Sequence, residues 1–314
     1  MLGFHKARAK LKGQFRAFAI LFLATLFLAT GCKTSDDAVA AATQMSATAK
    51  ALSDYYTALN TILSNTDQLY ILNQQLTSRP YTAENRQLMK NNQAELAKRA
   101  ALAADFSTLA AEFAKLSGST AAADVSASAV KLQTEVDSLA SVKASTGEQN
   151  MLKSALEIFV KAIQEHKERE AARAICDIAK GLTALFIKEG EVWNSVETNY
   201  TRIAANLAVY LVDHDATDNS GLLKVALDPF GLTPSSSTSD LKALLTPLAK
   251  QQIATRTAAL DDSYVKATDA MTKSLQEMTK RISAVAEDKP MAFRMPPLTV
   301  DLVEKWVAQV ESYF

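Results

Sequence analysis

The sequence is poor in the residues that most catalytic and metal sites use. Only three of its 314 residues are histidine (His5, His166 and His214), and only two are cysteine (Cys32 and Cys176). Neither His166 nor His214 has a glutamate three positions before it, so the Glu-x-x-His motif of di-iron helical bundles is missing. No P-loop, dinucleotide-binding or G-x-S-x-G motif occurs. These absences predict a protein that is not an enzyme and that uses no cofactor.

Glycine is scarce as well: the chain has nine glycines, and only six of them follow Cys32. β-sandwiches and barrels need frequent turns, and turns draw heavily on glycine. The long segments between the few breaks are instead rich in Ala, Leu, Lys, Glu and Gln, which are strong helix formers. The sequence therefore predicts an all-α protein.

Basic residues are not in excess, since the chain carries 34 basic and 34 acidic residues. From Cys32 onward there are 29 basic and 34 acidic side chains, a net charge of −5. Proteins whose main partner is nucleic acid use a surplus of Lys and Arg against the phosphates. The composition predicts no nucleic-acid partner.

Two polar clusters were considered as metal sites. Asp213, Asp215 and Asp218 follow one another in a loop, but an EF-hand needs glycine at its sixth position and glutamate at its twelfth. Counted from Asp213, those positions hold Asp218 and Lys224. The run 165–170 mixes charges at the spacing of a solvated helix face. We therefore predict an acidic turn, a solvated helix face and no metal site.

The N-terminus has the composition of a secretory signal peptide. Five basic residues and no acid precede an apolar run from Ala17 to Thr30. A basic segment followed by an apolar run of this length is typical of a signal peptide. The run is shorter than the ~20 residues that a helix needs to cross a bilayer, so an uncleaved anchor is the weaker alternative.

Gly31 and Cys32 follow this run directly. Together with the three residues before them they read Leu28-Ala29-Thr30-Gly31-Cys32, which resembles the lipobox of bacterial lipoproteins. One departure is Ala29, where the family prefers leucine. The resemblance covers residues 1–32 only. It implies that residues 1–31 are removed, that the Cys32 thiol receives a diacylglyceryl group, and that the new amine is acylated, for example with palmitate. Conventional cleavage near Ala29 or Thr30 is the alternative.

Lys33 follows the cysteine, where enteric lipoproteins kept at the inner membrane have Asp. By analogy, we expect a lipid anchor in the bacterial outer membrane, facing the periplasm by default, with the cell surface as the alternative. If Cys32 carries lipid, Cys176 has no partner within the chain. Because Cys176 lies beside Ile175 and close to Ile178, we expect it to be buried as a small apolar group.

The apolar residues after Cys32 recur at helical spacing, and the breaks between these segments are short. Short breaks favour antiparallel neighbours. We therefore predict an elongated antiparallel bundle with a small C-terminal helix, as one domain over 32–314 that could divide near 213–240. A continuous coiled-coil rod is the alternative. The expected helices are 36–77, 82–116, 121–143, 148–212 interrupted or bent near Gly181 and Gly190, 240–286 with Pro247 ending or starting a segment, and 299–313.

Within the fourth segment, Ile203–Val212 is apolar on most faces and is expected to be its most buried part. The function left by these exclusions is a non-catalytic, lipid-anchored bundle that binds or spaces another envelope component, either protein or glycan. A ligand-sensing bundle is the first alternative. The second is a pore-forming helical toxin, for which Ala174–Ile187 and Ile203–Val212 are the candidate apolar hairpin.

Overall fold

The computed structural model describes most of the chain, and its side chains from Val39 onward. The described backbone covers residues 4–76, 78, 82–115, 121–139, 146–165, 167–214, 226–233, 239–287 and 300–313. Within these ranges the side chains of residues 68, 121–123, 168, 169 and 239–242 are not described.

The fold is all-α, as predicted, and the described ranges contain no strand. One short 3₁₀ helix, Asp228–Phe230, lies between the two longest helices of the second half. The α-helices in chain order are α1 (Phe4–Leu76), α2 (Ala83–Ala114), α3 (Ala121–Ser138), α4 (Thr146–Gln164), α5 (Glu168–His214), α6 (Ser239–Ala286) and α7 (Asp301–Tyr313).

Each helix packs against the next one along the chain, and α1 also contacts α5, α6 and α7. A pair of hydroxyls shows that α1 and α2 are antiparallel. The hydroxyl oxygen of Ser46, thirty residues before the end of α1, lies 3.0 Å from that of Ser107, which is near the end of α2. At the same end, Gln44 accepts a hydrogen bond from Arg281 near the end of α6. α1 therefore closes the bundle, because it packs against α2 and also against α5, α6 and α7.

The helical stripes form the core. Along α3, Val125, Ala129, Leu132 and Val136 are all buried, at the alternating steps of four and three that the sequence shows. The same holds for the long seam of α6 and the inward face of α7. Because these stripes are buried against one another, the apolar area removed from water stabilises the bundle as a whole rather than any single helix.

The end of α1 and the start of α2 both follow from the local sequence. The side chain of Thr82 caps the helix by accepting a hydrogen bond from the backbone N–H of Asn85 at 3.2 Å. Upstream, α1 ends at Leu76, and Ser78 takes a left-handed conformation with φ of 55°. This agrees with the predicted break before Pro80, although Pro80 itself lies outside the described residues.

The expected helix over 148–212 was wrong in one respect. The chain turns between Gln164 and Glu168, and the Lys167 N–H bonds the Ala162 carbonyl at 2.8 Å to close the end of α4. Glu165 and Lys167 therefore lie at this turn, and Glu170 lies in the first turn of α5, rather than all on one helix face. A turn here allows α4 and α5 to pack side by side and bury both apolar stripes, while these three side chains are exposed.

The helix is also not interrupted at Gly181 or Gly190, since both residues lie inside α5. Likewise Pro247 neither ends nor starts a helix, because α6 runs through it with the proline side chain exposed. The proline has no N–H to donate, so α6 lacks one backbone hydrogen bond there. Both helices thus continue through residues that locally favour a break.

The segment Ile203–Val212 was expected to be the most buried part of the helical stretch 148–212, and this expectation is wrong. Asn206 is exposed and Tyr210 is 40% exposed. The inward residues of this segment form a second, smaller core cluster with Leu69, Phe230 and Ile253. α3 and α4 lie beside the first half of α5, so fewer helices surround α5 at Ile203–Val212. One face of this segment therefore meets water.

The two glycines inside α5 have different surroundings and test how closely α4 and α5 approach. A Cβ at Gly181 would lie 2.7 Å from Leu152 Cδ2, and Leu152 is itself buried, whereas a Cβ at Gly190 would have no atom within 4 Å. Gly190→Ala should raise the free energy of unfolding by about 1 kcal/mol through helix propensity. Gly181→Ala should instead lower it by about 1 kcal/mol or more, because Leu152 must move.

Urea unfolding followed by circular dichroism measures both variants under the same conditions. Equal stabilisation by the two substitutions would contradict the close approach of α4 and α5 at Gly181.

Candidate functional site

The predicted lipid-attachment residue, Cys32, lies outside the residues whose side chains the structure describes, so the anchor stays a prediction. Among the described residues, no helix contains an apolar stretch long enough to cross a membrane.

The other cysteine is where the sequence predicts it. Cys176 is buried on α5, with 2% of its surface exposed, and is not in a disulfide. Its sulfur lies 3.0 Å from the hydroxyl oxygen of Ser283 on α6. Cys176 thus fills part of the α5–α6 contact, in agreement with the expected burial.

Of the three aspartates predicted to lie in a loop, Asp213 lies instead in the last turn of α5, and Asp215 and Asp218 lie outside the described residues. Asp213 pairs with Lys250 of α6 at 2.5 Å. His214 stacks on Tyr210, with ring centroids 4.0 Å apart, and its Nδ1 lies 2.8 Å from the Tyr210 carbonyl oxygen. His166 lies outside the described residues. No group of three or more metal-ligating side chains occurs within the described ranges.

The most distinctive polar site in the described structure is a line of buried side chains on α5. Glu189, Trp193, Glu197 and Thr201 follow one another at steps of four, and each is at most 3% exposed. We call these four residues the α5 polar seam. Charged residues are rarely buried to this degree unless they are paired, so each carboxylate of the seam needs a physical account.

Glu189 is paired with Arg99 of α2, and neither side chain is exposed. The guanidinium donates from Nε to Glu189 Oε2 at 2.5 Å and from Nη2 to Oε1 at 2.7 Å, so both carboxylate oxygens are engaged. Arg99 also donates to Glu95 one turn earlier on α2 at 2.8 Å. Such a two-point contact fixes both the distance and the rotation of two helices.

Trp193 completes the environment of this pair. Its indole N–H donates to Glu189 at 3.2 Å, and the Arg99 guanidinium lies 5.1 Å from the centroid of its ring. Burial works against the charge of Arg99, but the hydrogen bonds and charge of Glu189 together raise the pKa of Arg99 above its ordinary value. The arginine is therefore held in its charged form inside the bundle.

Glu197, two turns farther along α5, has no such cation. It is 1% exposed, and its carboxylate accepts hydrogen bonds from the hydroxyls of Thr198 at 3.4 Å and Thr201 at 3.2 Å. No ion pair to Glu197 occurs within the described part of the chain. Burial, followed by the negative charge of Asp261 on α6, raises the pKa of Glu197 to about 7.

An aromatic cluster lies beside the α5 polar seam and joins four helices. Tyr55 of α1 lies 5.0 Å from Trp306 of α7, 5.4 Å from Phe186 of α5 and 6.2 Å from Tyr264 of α6, measured between ring centroids. The Tyr55 hydroxyl is 2.9 Å from that of Thr268. This cluster fills the space where α7 covers the gap between α1 and α6.

Two cavities lie near these groups. One, of about 10 Å³, is lined in part by Thr201 and Arg256 and has room for about one water molecule. The other, of about 130 Å³, lies between α1 and α7 and is bordered by Asp54, Glu304 and Glu311. Small-molecule sites typically occupy about 300 Å³ or more, so neither cavity is of metabolite size.

Sequence reasoning missed the α5 polar seam, although a signal was present. Glu189 and Trp193 continue the stripe of Leu182 and Phe186 at steps of three and four, so Glu189 falls on an inward position. Arg99 likewise precedes Leu102 on the inward face of α2. Two opposite charges on inward faces predict a buried ion pair, but their partnership across ninety positions becomes visible only in the tertiary structure.

The Arg99–Glu189 pair gives a first prediction for this site. Arg99→Met should lower the free energy of unfolding by about 3–5 kcal/mol, because it leaves the Glu189 carboxylate buried without its cation. The double variant Arg99→Met, Glu189→Leu should recover much of this loss, since no buried charge remains. Urea unfolding of the single and double variants gives the coupling between the two residues.

The control is Lys50→Met, because the Lys50–Asp54 pair is exposed, with 70% and 41% of its side chains accessible. Its effect should stay below about 1 kcal/mol. A loss of similar size at Lys50 and Arg99 would contradict the burial of the pair.

Glu197 gives a second prediction, on pH. The folded protein holds the proton of Glu197 up to about pH 7, whereas the carboxyl of the unfolded chain loses it near 4.5. Between these values the folded state binds more protons, so the free energy of unfolding falls as the pH rises, by on the order of 3 kcal/mol in total. Glu197→Gln should remove most of this slope and stabilise the protein at pH 8.

Some slope should remain in Glu197→Gln, because burial also raises the pKa of Asp261. Glu191→Gln is the matched control, since Glu191 is exposed on the same helix, and it should leave the pH profile of unfolding within about 0.5 kcal/mol of the wild type. An unchanged pH profile in Glu197→Gln would show that Glu197 is solvated or paired.

Comparison with known proteins gives no relative from which a function could be transferred. No protein-family model matches the sequence, and no curated protein or solved structure is significantly similar to it. The function is therefore argued from the residues of this chain alone.

Proposed function

We propose that the protein is a bacterial lipoprotein, anchored in the outer membrane through lipid on Cys32, whose non-catalytic helical bundle binds another component of the cell envelope. The observation that carries the proposal is the sequence at the anchor: a basic segment, the short apolar run Ala17–Thr30, and Gly31-Cys32 at its end. Three acyl chains would make release from a bilayer negligible, because each buried CH₂ contributes about 0.8 kcal/mol.

The contacts of the α5 polar seam support a binding or spacing role over a catalytic one. The buried acid Glu189 is neutralised by Arg99 and closed off from solvent, which suits a group that fixes helix positions. A bundle whose interior is filled and held in one register offers its outer faces to a partner, either a protein or a glycan.

Two alternatives receive less support. A ligand-sensing bundle would need an interhelical pocket, and the two cavities near the polar groups are smaller than typical ligand sites. A pore-forming toxin would insert an apolar hairpin, but Ala174–Ile187 and Ile203–Val212 lie in the single continuous helix α5 and so form no hairpin in this fold.

The anchor is tested with the two cysteines of the chain. Cells that make the full chain and are fed alkyne-tagged palmitate should label the wild type, and Cys32→Ser should abolish both the label and the membrane association. Cys176→Ser is the matched control and should keep both, because Cys176 is buried in the bundle. Mass spectrometry should find the N-terminus at a lipid-bearing Cys32. An unmodified thiol there, or label retained in Cys32→Ser, would refute the anchor.

Location and partner are tested in the same cells. On a density gradient, the wild-type protein should sediment with the outer membrane. Crosslinking in intact cells should give one reproducible adduct with an envelope component, which is lost in Cys32→Ser because that variant is not held at the membrane. Recovery with the inner membrane would contradict the proposed location, and the absence of any adduct under several crosslinkers would count against the binding role.

A further inference from the structure

The distance between the lipid-attachment residue and the bundle core is short, and it limits how the protein can sit on a bilayer. Among the described side chains, which begin at Val39, core burial starts at Ala41, which is 4% exposed, and continues with Ala42 and Met45. Ala41 is only nine residues after Cys32. Nine residues span about 13 Å as a helix and at most about 32 Å when fully extended.

The bundle is much longer than this tether. The helix α5 has 47 residues, which corresponds to about 70 Å. We define the anchor end of the bundle by the last residues of α2, α4 and α6, which are Ala114, Gln164 and Ala286. Gln44 bonds Arg281, and Ser46 bonds Ser107, so the part of α1 that follows Cys32 enters the bundle at this anchor end.

The long sides of the bundle offer little for a bilayer to bind. A helix that lies flat in a membrane interface needs a broad apolar face flanked by Lys and Arg. Large exposed apolar residues on the sides, such as Val130, Ile158, Val265 and Leu302, belong to four different helices. The exposed leucines that lie together, Leu244, Leu245 and Leu248, are near the start of α6, at the far end of the bundle. The net charge of −5 from Cys32 onward also opposes contact with anionic lipid over a long side.

At the anchor end, two described lysines are paired. Lys115 bonds Glu112 at 2.9 Å, and Lys167 bonds Glu165 at 2.7 Å. These lysines are therefore neutralised by neighbouring carboxylates, so the tether rather than charge attraction is what holds this end near the lipid.

We propose that the bundle stands end-on upon the bilayer, with the anchor end facing the lipid. The far end, where α1 ends at Leu76 and α5 at His214, is then held about 50 Å farther from the lipid. This proposal rests on the proposed lipid anchor at Cys32. The short tether keeps the anchor end within about 32 Å of the lipid, and the polar sides leave the long axis free to stand away from the surface. A partner would then be met at a fixed height rather than at the membrane itself.

Two exposed acidic residues, one near each end, provide a matched pair of labelling positions. Asp124 lies in the first turn of α3, near the anchor end, and Glu84 lies in the first turn of α2, near the far end. The ion pair of Lys131 with Asp105 sets the register of α3 on α2, so the two positions are about 40 Å apart along the bundle. Both positions are at the surface, so a dye should not disturb the core.

The experiment uses the full, lipidated chain with Cys176→Ser, into which Asp124→Cys or Glu84→Cys is introduced and labelled with a donor dye. The protein is added to vesicles of phosphatidylethanolamine and phosphatidylglycerol that contain an acceptor lipid. Energy transfer should be about twofold or more greater from position 124 than from position 84, because of the ~40 Å between them. A flexible insert of about twenty Gly and Ser residues after Asp37 should reduce this difference, since it lengthens the tether.

The possible failures are distinct. Equal energy transfer from both positions in vesicle-bound protein would overturn the end-on arrangement and leave the lipid anchor intact. Greater transfer from position 84 would likewise overturn it. If the wild type binds no vesicles, or binds them equally well as Cys32→Ser, the anchor and the arrangement built on it both fall. A difference that survives the flexible insert would show that surface contacts, and not the tether length, orient the bundle.

Discussion

Arg99 donates two hydrogen bonds to Glu189 at a depth in the bundle where neither side chain is exposed to water. A buried pair of this kind adds little stability compared with an apolar pair, but breaking it leaves a bare charge. Any packing of α2 on α5 that slides or rotates the helices would separate the two groups. Apolar stripes at steps of three and four tolerate such slips far better, so we infer that the pair selects one register among several that bury similar area.

The rest of the core is arranged around that register. The aromatic cluster centred on Tyr55 joins α1, α5, α6 and α7. The ring of Tyr56 lies 5.9 Å from that of Tyr55 between centroids, and burial, followed by the charge of Glu189, raises the pKa of Tyr56. Farther along α5, Glu197 forms no ion pair with a described residue and keeps its proton to about pH 7. In the middle of the bundle, the Glu189 carboxylate of the α5 polar seam is thus paired with a cation. Nearer the far end, where fewer helices surround α5, the Glu197 carboxyl accepts hydrogen bonds from hydroxyls instead. Opening of the fold should begin at that end.

These features fit the proposed role of a tethered, non-catalytic bundle. A chain anchored by lipid needs no apolar face of its own for the membrane, so its stripes can all serve the interior. A core fixed by one buried pair and one aromatic cluster gives a stiff body, and a stiff body on a nine-residue tether can hold a partner at a defined height. The same tether, if long and flexible, would allow contact at any height.

The amino-acid sequence by itself determined the helical class, the inward stripes such as Val125 to Val136, the end of α1 before Pro80 and the burial of Cys176, because these depend on propensities and spacings within about ten residues. It also placed Glu189 and Arg99 on inward positions, although that signal was overlooked. Only the tertiary structure decided that α4 and α5 separate at residues 165–167, that Gly181, Gly190 and Pro247 lie inside helices, and that Arg99 meets Glu189. The contact of Arg99 with Glu189 and the approach of Gly181 to Leu152 join segments that are far apart in sequence, so the spacing of neighbouring residues could not reveal them.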